Sequence, residues 1–331
     1  MKKLLLTDCT LTTLGDEDLP LPSLRECFLL LCELPLYGIE LSVPVYEKLK
    51  RCGQAFPKGR KYFLRIEELQ QVQAYPGLDG YYFCRASETN DLPEGSALFL
   101  HLTAEKKPGC LGAPVQRYRL AGLSSFRGIA ARDSLQRFLQ EESTLELLPQ
   151  KNGGWGTGLL LEWFQLGGVY GAAAFAGAGG YACLEEVLLA SCHRGWLHPD
   201  TDLSVLQRLC QSYDRLTGKQ TEPHKPVLGS QIFAVESGIH VDGILKYPRM
   251  YEPYPPEQVG LRRIFVAGKH SGRRAIAAKI AEAGLHVSET QLGCLLMAVH
   301  QKSIEQKHSL SDQEFLLLAK KVQEDDRIQN G

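Results

Sequence analysis

The chain has 331 residues, a formal net charge of -1, and 44% hydrophobic and 23% charged residues. That balance is ordinary for a globular protein and gives no overall field for nucleic acid or a membrane surface. No apolar run approaches the roughly 18 residues a spanning helix needs, and the length allows one large domain with an appendage, or two domains.

The opening MKKLLLTDCTL carries two lysines and a short apolar run that Asp8 interrupts; with no small-residue cleavage site after it, it reads as a first β-strand and not a signal peptide. Ten cysteines are scattered along the chain with no CxxC pair, which fits a reduced cytoplasmic protein better than a disulfide scaffold. Cys192, His193 and His198 cluster in sequence, but their spacing fits no common zinc pattern.

Short apolar strands are predicted at 3–8, 38–43, 79–84, 96–101, 145–148 and 170–175, with helices at 22–34, 44–52, 66–74, 133–142, 157–166 and 182–193. Such alternation predicts a parallel sheet with helices packed outside. Six strands fall short of the eight a closed barrel requires, so either two strands are hidden from the pattern or the barrel is incomplete.

A helix at 203–217 leads into GKQTEPHKPVLG, which reads as a linker, and then into an irregular Gly-rich region at 229–270. Helices follow in 271–323: RRAIAAKIAEAG ends at Gly284, a second begins after Ser288, and a third after Ser311 in a capping-box pattern with Glu314.

Residues 222–285 contain ESGIHVDGILK, then P-x-x-Y-E-P, then GKHSGR, in that order. This string resembles the corresponding region of homocitrate synthases of the nitrogen-fixation type. More loosely, Asp8-Cys9-Thr10-Leu11 matches that family's first strand, Ile39-Glu40-Leu41-Ser42-Val43-Pro44 a later one, Phe83-Cys84-Arg85-Ala86 a W-C-R-A segment, and Leu184-Glu185-Glu186-Val187 the L-E-E-V after the last strand. The resemblance implies an α/β fold: an incomplete or degenerate TIM-type barrel over 1–220, a linker and lid over 221–270, and C-terminal helices over 271–331.

Enzymes of that family join acetyl-CoA to a 2-oxo acid, with a divalent metal polarising the ketone. In the implied register the family's first-strand arginine and acidic ligand fall on Thr12 and Thr13, and its H-x-H on Leu148-Pro149-Gln150, with Gly154 and Thr157 in step. A family Glu-Asp in the fifth strand region falls on Gly128-Ile129, and between Asp133 and Gly153 there is too little chain for a further βα unit. The expectation is a barrel without its own metal, the divalent metal lying in a partner barrel.

What the resemblance leaves is a lid: His240 with Tyr251 eleven residues on, a pair that in the resembled enzymes reaches into a neighbouring subunit and takes part in proton transfer. An imidazole suits that role and a phenol can relay a proton. Read alone, His240 would be a histidine bonded inside a tight glycine turn and Tyr251 a surface cap; the motif favours the catalytic reading. Lys269, His270, Ser271 and Arg273 either contact an anionic group or only fix the turn into the next helix. Gly177-Ala178-Gly179-Gly180 lacks phosphate-loop spacing and reads as packing, and Glu185-Glu186 as a solvated helix start. Val235 stands where the resembled group has histidine.

The expected function is a subunit of a split homocitrate synthase-like acyltransferase in a hetero-oligomer, meeting acetyl-CoA and a 2-oxo acid only through a catalytic barrel partner. The alternative is a non-catalytic pseudoenzyme that stabilises or regulates such a partner.

Overall fold

The computed structural model describes residues 4–15, 19–83, 98–103, 117–122, 128–141, 144–150 and 154–330. Cys84, Arg85 and Ala86, singled out above, lie outside them. The chain divides into two units, residues 1–221 with 226–228, and residues 222–225 with 229–331.

In the first unit eight parallel strands close into a barrel in sequence order. They are β1 (Leu5–Asp8), β2 (Gly38–Ser42), β3 (Lys61–Ile66), β4 (Gly80–Phe83), β5 (Leu98–Thr103), β6 (Arg117–Gly122), β7 (Glu146–Pro149) and β8 (Tyr170–Ala173). The last strand pairs back onto the first, Leu5 opposite Tyr170 through Asp8 opposite Ala173. The architecture is TIM-type, and the missing strands were hidden, not lost: β3 and β6 read KYFLRI and RYRLAG. Their arginines face the barrel interior, so the usual apolar run is broken by charge.

The helices of this unit are α1 (Leu21–Glu33), α2 (Val43–Arg51), α3 (Gln71–Ala74), α4 (Gly128–Glu141), α5 (Gly156–Leu166), α6 (Leu184–His193) and α7 (Val205–Thr217). Proline sits in the first turn of α1 and α2, where its missing N–H costs nothing. The helix expected at 66–74 shrinks to the single turn of α3. Gly128 and Ile129, placed above in a fifth strand, instead open α4, because β5 and β6 already supply the strands upstream.

Alternation along the strands turns one set of side chains inward, and the set is charged. Arg119 on β6 is fully buried and bonds Glu146 of β7 at 2.9 Å and Glu40 of β2. Arg65 of β3 bonds the other oxygen of Glu40 at 2.7 Å, and the Tyr82 hydroxyl of β4 donates to Glu146 at 2.7 Å. The Arg119 guanidinium also lies 3.5 Å from the Tyr82 ring centroid. Burial pulls the Glu40 carboxyl upward, but Arg119 and Arg65 outweigh it and hold it below the usual carboxylate range.

The second unit holds a two-stranded parallel sheet of β9 (Ala234–Val235) and β10 (Ile264–Phe265), with α8 (Gly238–Lys246), α9 (Arg273–Glu282), α10 (Glu289–Gln306) and α11 (Asp312–Asn330). The region read as irregular thus contains a helix, α8, which two glycines in nine residues disguise. Ser288 and Gln291 cap α10 reciprocally, at 3.1 and 2.8 Å. Ser311 and Glu314 do the same for α11, as the spacing predicts. These helices close over a core of Ile276, Ile280, Leu292, Leu295, Val299, Leu310 and Phe315.

Candidate functional site

His240 lies on α8, exposed, and not in a tight glycine turn. Three residues on, and so on the same helical stripe, Gly243 presents no side chain. The chain leaves α8 through a single 3-10 turn at Pro248–Met250, closed by the Tyr251 N–H donating to Pro248 O at 2.9 Å. That turn folds the Tyr251 ring back onto Gly243 and sets its centroid 6.1 Å from that of His240. The next residue, Glu252, is buried and clamped by Arg263 through two bonds of 2.7 Å. Arg263 directly precedes β10, so the return path of Tyr251 is tied to the sheet. The structure therefore brings together the imidazole and phenol that the sequence spacing singles out, and leaves Tyr251 46% exposed.

The neighbouring stripe of α8, Ile239, Asp242 and Lys246, lines a groove of about 540 Å³ with Ser237, His270, Arg273 and Arg274. Asp242 pairs with Arg274 and, at 2.9 Å, with Lys246. Of the four GKHSGR positions named from sequence, only His270 and Arg273 face this groove. Lys269 faces another hollow, of about 350 Å³, with Lys307 and His308. Ser271 is buried: its hydroxyl accepts from Gly268 N–H at 3.0 Å and donates to Val266 O at 3.1 Å. It fixes the turn into α9. Glu236, which the sequence reading passed over, joins three segments, since its carboxylate accepts the His270 N–H at 2.9 Å and the Ser309 hydroxyl at 3.0 Å.

Residues 227–308, which include His240, Tyr251 and the GKHSGR segment, match the family model described as homocitrate synthase post-HMGL domain-like. Over these residues the chain is similar to the homocitrate synthase-type domain. Among curated relatives, the homocitrate synthase omega subunit of Clostridium pasteurianum is 36% identical over 140 residues, 42% of this chain and 40% of that protein. Homocitrate synthase 1 of a Nostoc species is 38% identical over 141 residues, 43% of this chain and 37% of that protein. The chain thus matches about 40% of the length of the first of these relatives. Among solved structures, the hydroxymethylglutaryl-CoA lyase of Pseudomonas aeruginosa superposes with a TM-score of 0.52 at 14% identity, covering 66% of this chain and 94% of that one. At that identity it supports the barrel fold alone.

The positions onto which the sequence resemblance places metal ligands, Thr12, Thr13 and Leu148, carry side chains whose chemistry does not fit a hard divalent ion. The Thr12 and Thr13 hydroxyls are spent on backbone carbonyls, Cys9 O and Thr10 O, each at 2.7 Å. Leu148 lies in an apolar cluster with Cys9, Ala121, Ala172 and Ala174, flanked by Ala178 and Tyr181. Hard divalent ions need carboxylate or imidazole ligands, and neither a leucine nor two internally bonded hydroxyls replaces them. Burial pushes the Cys9 thiol up, further from the thiolate a soft ion would need.

Nearby, Glu185 corrects the sequence reading of a solvated helix start: it is fully buried and accepts the Ala176 N–H at 2.9 Å. Ala176 sits at φ 56°, so the carboxylate pins a strained turn between β8 and α6. Glu186 accepts the Thr157 hydroxyl at 2.9 Å. Together with Cys183 these carboxylates place ligand-type atoms within 4.8 Å of one another, but Glu185 is engaged in shaping the turn and Glu186 in bonding α5. The Gly-rich stretch there packs, as expected: a Cβ on Gly179 would meet Thr13 and Tyr181.

Proposed function

We propose that the chain is a subunit of a homocitrate synthase-like acyltransferase of the nitrogen-fixation type, condensing acetyl-CoA with 2-oxoglutarate, in which this chain supplies lid residues to a catalytic barrel carried by another chain. The observation that carries the reading is an asymmetry. His240 on α8 and Tyr251 folded back beside it stand together and exposed, while the barrel positions that the resemblance assigns to a metal hold Thr12, Thr13, Leu148 and Gln150. A relative bearing the subunit designation adds weight.

In this reading the divalent metal would be held by the partner's barrel and not by this chain, and would supply Lewis-acid polarisation of the oxo acid's ketone. The imidazole of His240 exchanges a proton with the acetyl group or the developing alkoxide, and the Tyr251 phenol orients or relays it. His240→Ala in the co-expressed complex then costs roughly 10²–10⁴-fold in turnover, at unchanged complex yield. A wild-type rate would remove the catalytic role.

A second reading, a pseudoenzyme that only stabilises its partner, draws on the exposed side chains around the pair: Ile239, Leu245, Tyr247 and Met250, the last 80% exposed. Large apolar side chains left exposed close together in sequence are candidates for an interaction face. Under that reading His240→Ala is silent while Ile239→Asp and Met250→Asp abolish co-purification of the partner.

A further inference from the structure

Gly243 sits in the middle of α8, and its backbone is ordinary right-handed helix, absent from the glycines of positive φ. Nothing in the main chain therefore asks for glycine, and any other residue but proline would favour the helix more. Space does ask for it. A Cβ built on Gly243 overlaps Cζ, Cε2 and Oη of Tyr251. The hydroxyl end of the tyrosine, the end that would handle a proton, is thus seated against the bare Cα of the helix, one turn from His240.

The other restraints on Tyr251 act on its backbone: the Pro248 turn and the Glu252–Arg263 clamp fix where the ring starts. Gly243 fixes where it ends. The helix interior gives up stability at this position, and the return is a ring held flat on the helix at 6.1 Å from the imidazole.

We propose that Gly243 is the positioning residue of the His240–Tyr251 pair, keeping the phenol beside the imidazole by the absence of a side chain; its bearing on catalysis rests on the lid reading above. Gly243→Ala lifts Tyr251 off α8 while leaving the helix intact. The same alanine placed in a Tyr251→Ala background meets nothing.

The test uses the full-length chain, labelled at histidine, with the His240 imidazole resonance assigned by its loss in His240→Ala. Gly243→Ala, checked for unchanged helix content by circular dichroism, should move the His240 resonance in the direction given by Tyr251→Ala, since the ring beside it is displaced in both. Adding Gly243→Ala to Tyr251→Ala should move it no further. An unmoved resonance in folded Gly243→Ala overturns the proposal, as does an equal shift in both backgrounds. If Gly243→Ala fails to fold, the double variant decides: a folded Gly243→Ala/Tyr251→Ala chain supports the overlap, and an unfolded one overturns it.

Turnover of the co-expressed complex is read separately. Displacement of a proton-relay group by about an ångström predicts a loss of roughly 10²-fold in kcat, with KM for the oxo acid unchanged. A shifted His240 resonance with wild-type turnover would uphold the positioning and overturn the lid chemistry.

Discussion

Asp8 closes β1 with its carboxyl out of water. Strand alternation puts it on the face opposite Cys9, toward Cys27 of α1 and Tyr213 of α7, whose ionisation it opposes. Burial is the dominant influence; the Thr10 hydroxyl and N–H counter it in part, the charge of Glu40 adds to it, and the pKa is raised from 3.8 to about 7. Between those two values the folded chain holds a proton that the unfolded chain has released. Stability contributed at Asp8 therefore falls as pH rises from about 4 to about 7 and is level above, with a ceiling of about 4 kcal/mol. Asp8→Asn keeps an acceptor for Thr10 and removes the charge. Denaturant unfolding should find it level with wild type near pH 4 and more stable by a few kcal/mol at pH 8. A gap that does not widen with pH would contradict the assignment. The His240–Tyr251 pair is the other residue-scale feature, and its legibility was uneven. The eleven-residue spacing of His240 and Tyr251 could be seen in the motif. The role of Gly243 could not, because it arises only when a 3-10 turn folds the chain back on itself.

At the scale of elements, the barrel shows why two of its strands escaped the pattern. A strand is recognised when apolar residues alternate with polar ones that face solvent, and β3 and β6 place arginine on the inner face. Arg65 and Arg119 belong there only because Glu40 and Glu146 arrive from other strands, a match between segments distant in sequence. The helices of the second unit were legible for the opposite reason, since their capping boxes and apolar spacing are local. Helix α8 was not, because Gly238 and Gly243 serve close contacts with Gly272 and Tyr251 instead of helix propensity. The buried charges also make a prediction. Removing Arg119 leaves Glu40 and Glu146 in the interior without the cation they share, and breaking such a pair costs about 3–5 kcal/mol. Arg119→Met should lower the denaturant midpoint accordingly, whereas a change below about 1 kcal/mol would mean the network is as weak as a surface pair.

For the molecule as a whole, the two units differ in what they carry. The second is similar to a homocitrate synthase-type domain over residues 227–308 and sets the His240 and Tyr251 rings side by side. The first keeps the barrel fold and fills it: a charged ladder across the middle, and Leu148 with Cys9 and three alanines in an apolar cluster where the register places metal ligands. No described helix is long and apolar enough to cross a membrane, which agrees with the composition. Catalysis, on this account, needs a second barrel. The most direct measurement is made on the purified full-length chain alone: metal content after dialysis against a divalent ion, together with release of free thiol from acetyl-CoA in the presence of 2-oxoglutarate. The account predicts metal well below one equivalent and no turnover, with activity appearing only when a metal-binding barrel subunit is added. One equivalent of metal and steady turnover by the isolated chain would contradict it.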